Sequence, residues 1–202
     1  RDLYQKASDG SGTEEVLIEN NFDKIARSWS ADGRFVLYFS RLPTGNDLFV
    51  LPLSGDRKPV PFQKTQFSES NGQFSPDSRW IAYESNESGR AEIYVAPFPG
   101  PGGKSRVSSV GGDHPRWRWD GSEIFYLAPD SKLMVAAVNG KGSIFEVGAV
   151  RPLFQARPTP GTYAYDVSAD GQRFLISAPE QAAAAASAPI TVVVNWTAGL
   201  KK

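Results

Sequence analysis

The chain has 202 residues, and lysine plus arginine equals aspartate plus glutamate at 22 each, so its formal net charge is zero. Hydrophobic residues make up 40% and charged residues 22%, the mixture of a globular domain rather than of a disordered chain. The balanced charge excludes the basic footprint of a general nucleic-acid binder. The absence of cysteine excludes disulfides and thiolate chemistry, and no apolar run is long enough to cross a bilayer as a helix.

The chain opens at Arg1 without an initiator methionine or signal peptide, as expected of a processed product or of a piece excised from a longer protein. Leu3 to Lys6 and Glu15 to Ile18 read as two strands joined by the turn-rich segment Ala7 to Thr13. Asp9-Gly10-Ser11-Gly12 has the look of a phosphate-binding run, but no helix or lysine follows it, and a hairpin turn accounts for it.

A pattern of ten residues then repeats. Trp29 to Tyr38, Phe74 to Tyr83, Trp117 to Tyr126 and Val167 to Ile176 align, each with an apolar residue, a Ser-x-Asp-Gly turn or its variant, and a β-branched and aromatic run. The central aspartates Asp32, Asp77, Asp120 and Asp170 are spaced by 45, 43 and 50 residues. Aspartate accepts hydrogen bonds from backbone N–H groups ahead of it, and Gly33, Gly121 and Gly171 tolerate the left-handed conformation. Ser78 replaces glycine in the second copy, so that turn is expected to be strained or differently shaped. These residues shape turns; no chemistry is expected of them.

A second strand follows each copy, at Asp47 to Leu53, Glu92 to Phe98, Leu133 to Val138 and Thr191 to Trp196. A shorter third follows at Pro59 to Phe62, Arg106 to Ser108 and Pro152 to Phe154. The alanine-rich run Gln181 to Pro189 reads as a loop with at most a turn or two of helix. Counting the strand that leads into the turn, each unit is a four-stranded antiparallel sheet that cannot bury its apolar surface alone. Radial stacking of such units gives a β-propeller; a β-sandwich explains many short strands but not the same turn at near-constant spacing. The fold class is therefore all-β, a propeller fragment with complete blades at 21–66, 67–109 and 110–158 and incomplete terminal blades at 1–20 and 159–202. Trp29, Phe74, Trp117 and the tyrosines ending the following strands are expected to form core between blades.

The repeated turn, followed by Asp47-Leu48-Phe49-Val50 or Glu92-Ile93-Tyr94-Val95, resembles the TolB-like, WD40-like propeller repeat. Ser85 to Val95, Pro97-Phe98-Pro99, Gly111-Gly112, Pro115-Arg116-Trp117, Leu127 to Asp130 and Asn195-Trp196 more particularly resemble one kinase-linked propeller. It is the C-terminal propeller of bacterial transmembrane serine/threonine protein kinases, notably of Acidobacteria. The resemblance spans essentially the whole chain and departs at Ser78, Trp119 and Ser122. It implies a noncatalytic sensor or protein-interaction module on the periplasmic or extracellular side of the envelope. The kinase domain of that family is a separate region, and no glycine-rich phosphate loop, His-Arg-Asp or Asp-Phe-Gly occurs here. Two other roles stay open: a substrate-gating propeller beside a prolyl-oligopeptidase-like hydrolase, or a purely structural scaffold.

The single histidine, His114, cannot form a multi-histidine metal site, and neither a Gly-x-Ser-x-Gly elbow nor an Asp-x-Asp-x-Asp-Gly calcium loop is present. No catalytic residue, metal ligand or cofactor is expected. Segments joining the fourth strand of one blade to the first of the next share one end of a propeller. They nominate Asp23, Lys24, Glu69, Asn71, Asp113, His114, Arg116 and Tyr163 as contacts for a protein, peptide or small polar ligand. Nucleic acid and membrane are not expected partners. The incomplete terminal blades leave three arrangements open: a clasp by the N-terminal strand, an open arc, or pairing with another chain.

Overall fold

The computed structural model describes residues 1–100, 102–159 and 164–178. The expected strand at Thr191 to Trp196, the alanine-rich run and Tyr163 lie outside the described residues. The described residues form sixteen strands and no helix. An N-terminal pair, β1 (Leu3–Gln5) and β2 (Glu15–Ile18), comes first. The first blade holds β3 (Asp23–Trp29), β4 (Phe35–Leu42), β5 (Gly45–Pro52) and β6 (Val60–Gln63). The second holds β7 (Glu69–Phe74), β8 (Trp80–Ser85), β9 (Glu92–Pro97) and β10 (Ser105–Arg106). The third holds β11 (Asp113–Trp117), β12 (Glu123–Leu127), β13 (Lys132–Asn139) and β14 (Glu146–Gln155). A C-terminal pair, β15 (Tyr165–Val167) and β16 (Phe174–Ile176), completes the set. Every sheet is an antiparallel meander in chain order, and among the described residues the two terminal pairs do not join.

The turn between the first two strands of each blade is built as the repeat implies. The Ser30 hydroxyl donates to Asp32 at 2.6 Å and accepts from the Phe35 N–H at 3.0 Å, while Asp32 also accepts from the Arg34 N–H at 3.0 Å. These bonds, the Ser30 hydroxyl first, hold the Asp32 carboxyl down at about 2. Ser75, Asp77 and Trp80 repeat the network, as do Ser168, Asp170 and Arg173. Arg118 stands where those turns have serine, and Asp120 is held instead by Ser122 and Arg118. The fourth turn residue is left-handed in every copy, with φ of +70° at Gly33, +72° at Gly121, +70° at Gly171 and +56° at Ser78. Ser78 has a second use, since its hydroxyl accepts the Ala31 N–H of the neighbouring turn at 2.8 Å.

Both faces of each blade are apolar, which is why the second strands read as unbroken apolar runs. In β4, Val36 and Tyr38 face Leu3 of the N-terminal pair, while Leu37 and Phe39 face Phe74, Ile81 and Tyr83 of the second blade. In β8 the alternate residues Trp80 and Ala82 meet Ile124 and Tyr126 of the third blade. In β12, Phe125 and Leu127 meet Tyr165 and Phe174 of the C-terminal pair. The period of two along a strand thus distributes residues between neighbouring blades.

The expectation about the core holds for Phe74, Tyr38, Tyr83 and Tyr126, which are buried, and for Trp117, which is half-buried against the core, but fails at Trp29, which is 54% exposed. Phe74, Trp117 and Val167 each pack on the core shared with the preceding sheet, whereas among the described residues the sheet before Trp29 has only β1 and β2, so the same repeat position stays open there.

The first strands are the innermost and are tied to one another by side chains. The Gln73 amide donates to the Arg27 carbonyl at 3.2 Å, the Trp117 indole to the Gln73 carbonyl at 3.1 Å, and the Tyr165 hydroxyl to the His114 carbonyl at 2.9 Å. Each bond runs from one blade back to the preceding one.

Replacing Ser78 with alanine keeps the left-handed cost and removes the tie to Ala31, and is expected to destabilise by about 1 kcal/mol in urea denaturation. Ser78→Gly loses the same tie but relieves about 1 kcal/mol of backbone strain, so it is expected to be nearly neutral. Equal stability of the two variants would contradict this reading.

Candidate functional site

The residues nominated on connecting segments sit instead inside first strands: Asp23 and Lys24 in β3, Glu69 and Asn71 in β7, and Asp113, His114 and Arg116 in β11. The hairpin partners reach that far, pairing Asp23 with Arg41, Glu69 with Ser85 and Asp113 with Leu127, so these backbones are fixed by the sheets.

Two of the nominated charges are internal rather than exposed. Lys24 is buried, with its ammonium 2.7 Å from Asp2 and donating also to the Asn20 and Phe22 carbonyls at 3.1 and 2.7 Å. It ties the segment before β1 to β3, and all three of its donors are used. Glu69 is 1% exposed and accepts from the Thr65 hydroxyl at 2.6 Å, while its second oxygen has no hydrogen-bond partner. Burial pushes the Glu69 carboxyl up, the Thr65 bond opposes this, and the Asp47 carboxylate adds to the rise. Burial likewise raises Asp47. Asp23 is partly exposed and meets the amino group of Arg1 at 2.5 Å.

Asn71 and His114 occupy equivalent places, at β-bulges in β7 and β11, and both are left-handed, with φ of +53° and +52°. A third bulge falls between Ala26 and Ser28 in β3. Bulges recur where a strand must redirect its side chains. At Gly72 a Cβ would lie 2.6 Å from Leu37, so the bulge in β7 packs directly on the first blade. The Asn71 amide donates to Glu84 at 2.7 Å, and Glu84 also accepts the His114 backbone N–H. Burial raises the Glu84 carboxyl in spite of the Asn71 bond. His114 Nδ1 lies 3.1 Å from Asp113, without a well-aligned hydrogen bond. Among the described residues no group of three or more His, Cys, Asp or Glu side chains is placed to hold a metal ion.

Beyond the bulges the first strands enclose a cleft of about 550 Å³ at the turn end of the blades. Four equivalent positions line it, each one residue before the repeat's aromatic or apolar residue: Ser28, Gln73, Arg116 and Asp166. Arg116 lies 4.0 Å from Asp166, with its guanidinium over the Tyr165 ring at 5.9 Å. A second cleft of about 610 Å³ shares Gln73, Arg116 and Asp166, so these polar groups stand at the centre of a continuous depression. Trp119 overhangs its mouth and is 72% exposed.

Of the nominated residues that the structure describes, only Arg116 lines this cleft. Ser28, Gln73, Asp166 and Trp119 were missed, although the repeat carried a signal for them. A position that changes from serine to glutamine, arginine and aspartate across four copies is not held to one packing residue, although Ser28 and Gln73 there bond to the neighbouring strand. Trp119 stands where the other turns carry Ala31, Pro76 and Ala169.

The raised Glu69 carboxyl contributes stability that is complete below the ordinary carboxylate range and is lost as pH rises through its raised value. Glu69→Gln is therefore expected to flatten the decline in stability between about pH 5 and about pH 8, and to exceed the parent protein only at the upper end. Chemical denaturation at the two pH values checks this, and an unchanged decline would contradict it.

No protein-family model matches the sequence, and no curated protein matches it. Solved structures do. TolB from Acinetobacter baumannii superposes with a TM-score of 0.66 at 20% identity, over 89% of this chain and 43% of that one. A protein assigned as TolB in Agrobacterium tumefaciens gives 0.60 at 18% identity, over 77% of this chain and 59% of that one. An oligogalacturonate lyase in complex with manganese gives 0.59 at 16% identity, over 83% and 48%. The chain thus spans 43% to 59% of the length of these neighbours. Its fold is that of a TolB-like β-propeller, built of four-stranded antiparallel blades with partial sheets at both ends of the described residues.

Proposed function

We propose that this chain is a noncatalytic ligand-sensing propeller module whose binding face is the cleft at the turn end of the innermost strands. The observation that carries this reading is the convergence of Ser28, Gln73, Arg116 and Asp166 from four successive sheets. A rigid concave frame with a few placed polar groups is the ordinary form of a binding site. Nothing in packing demands an arginine and an aspartate there: the cores on which their sheets pack are formed by other residues. TolB and an oligogalacturonate lyase share this fold, so the binding reading rests on the cleft and not on the likeness.

The wider setting follows the kinase-associated resemblance of the Ser85 to Val95 stretch. In this reading the module belongs to a larger envelope protein with its propeller on the periplasmic or extracellular side, and an attached serine/threonine kinase receives the signal. Ligand engagement then acts by filling the cleft, because stacked blades leave little freedom for internal rearrangement.

Calorimetric titration against periplasmic peptides and soluble cell-wall fragments tests the reading. A saturable partner is expected, and the double variant Arg116→Ala, Asp166→Ala is expected to weaken it by about tenfold or more while leaving the thermal transition in place. A partner that binds the double variant as tightly as the parent protein would move the binding face elsewhere.

A further inference from the structure

We infer that the outer strand of the third blade, β14, pairs edge to edge with β14 of a second copy of this chain across a two-fold axis. Neither the cleft nor the two terminal sheets take part.

An outer strand leaves one row of backbone N–H and C=O groups unpaired, and proteins guard such edges by keeping them short or by placing proline or lysine there. The first two blades follow this rule, with a four-residue β6 that contains Pro61 and a two-residue β10. The third blade has the same number of strands, yet its β14 runs for ten residues. The stretch from Glu146 to Arg151 holds neither proline nor lysine, and Pro152 closes it. This edge belongs to a blade with its full set of strands.

The backbone of the stretch is turned to receive a strand. On β13, Val138 gives its N–H to the Ser122 carbonyl at 2.9 Å, on the side away from β14. Its partner Val147 therefore sits in a pair without hydrogen bonds to β13 and directs its own N–H and C=O outward. Ala136, two residues along β13, pairs with Val150, which is turned the same way. Between the two pairs a register shift sets Gly148 and Ala149 opposite Ala137 alone.

The sequence then selects the occupant. Laid antiparallel to itself about the Gly148–Ala149 bond, the stretch sets Glu146 against Arg151, Val147 against Val150 and Gly148 against Ala149. The valines carry the outward hydrogen-bonding groups, so both Val147–Val150 pairs exchange bonds in this register. Glu146 and Arg151 form the closer pairs on either side, where opposite charges attract. They also share a face of the sheet, because their partners Asn139 and Val135 are four residues apart on β13. Glu146 accepts the Asn139 amide at 2.9 Å, and a carboxylate has room for a further donor. An unrelated strand gains the backbone bonds alone, whereas a second copy adds two Glu–Arg pairs. A single shared edge is small for a protein interface, so the dimer is weak.

Sedimentation equilibrium of the 202-residue chain at roughly 10 to 500 μM tests this. Reversible dimerisation with a Kd of roughly 100 μM is expected. Arg151→Glu and Glu146→Arg each set like charges opposite one another and are expected to weaken the dimer by about tenfold. An equimolar mixture of the two variants matches every charge again, and is expected to associate as the parent chain does. Both side chains are exposed, so the thermal transition is expected to hold. A chain that stays monomeric throughout overturns the inference, as does a dimer that both single variants leave unchanged. A mixture that fails to recover association overturns the antiparallel register. A monomeric chain whose β14 amides are protected from hydrogen exchange by an added hexapeptide of alternating threonine and valine overturns the second copy in favour of a peptide.

Discussion

Each sheet in this molecule is apolar on both faces, and hiding both requires a neighbour on either side. A fully buried leucine or isoleucine contributes roughly 2 kcal/mol, while ordering one residue's backbone costs about 1–2 kcal/mol. A lone four-stranded sheet with two wet faces therefore cannot hold itself together. Leu37, Ile81, Ile93, Ile124 and Leu133 are all fully buried, and every one of them sits at a junction between sheets rather than within one.

The same constraint produces the cleft. Because the sheets must stack face to face, their first strands converge on one axis, and equivalent residues arrive there at equal height. Side-chain donors from Gln73, Trp117 and Tyr165 cap the carbonyls of the preceding strand and fix that spacing. At the repeat position of Gln73 the third blade and the C-terminal pair carry Arg116 and Asp166 instead, 4.0 Å apart. There the repeat varies in polarity, and function has room to enter.

The fold was legible because its determinants are local and repeated. The Ser-x-Asp-Gly turn has one network of bonds, and Asp32, Asp77 and Asp170 each reproduce it at nearly the same interval. Burial and solvent contact were less legible, because they depend on how far a neighbouring blade reaches. Trp29 and Phe74 hold the same repeat position, yet only Phe74 is covered. Lys24 and Glu69 also share a position, and both charges looked like surface groups. Lys24 finds Asp2 as its partner, while Glu69 meets Asp47, an acid facing an acid across the next junction. Partners separated by 22 residues in one case and supplied by another blade in both are invisible to a reading of local pattern. The cleft residues were within reach of the sequence, but only by asking which repeat positions fail to stay constant.

If the blades stabilise one another, they open together. Native-state hydrogen exchange at the centres of β4, β8 and β12 measures this directly, through the amides of Leu37, Ala82 and Phe125. The account predicts one common opening free energy at all three, falling together as denaturant is added. Three distinct opening free energies, with one blade exchanging while its neighbours stay protected, would show that each sheet is stable by itself and would contradict the account.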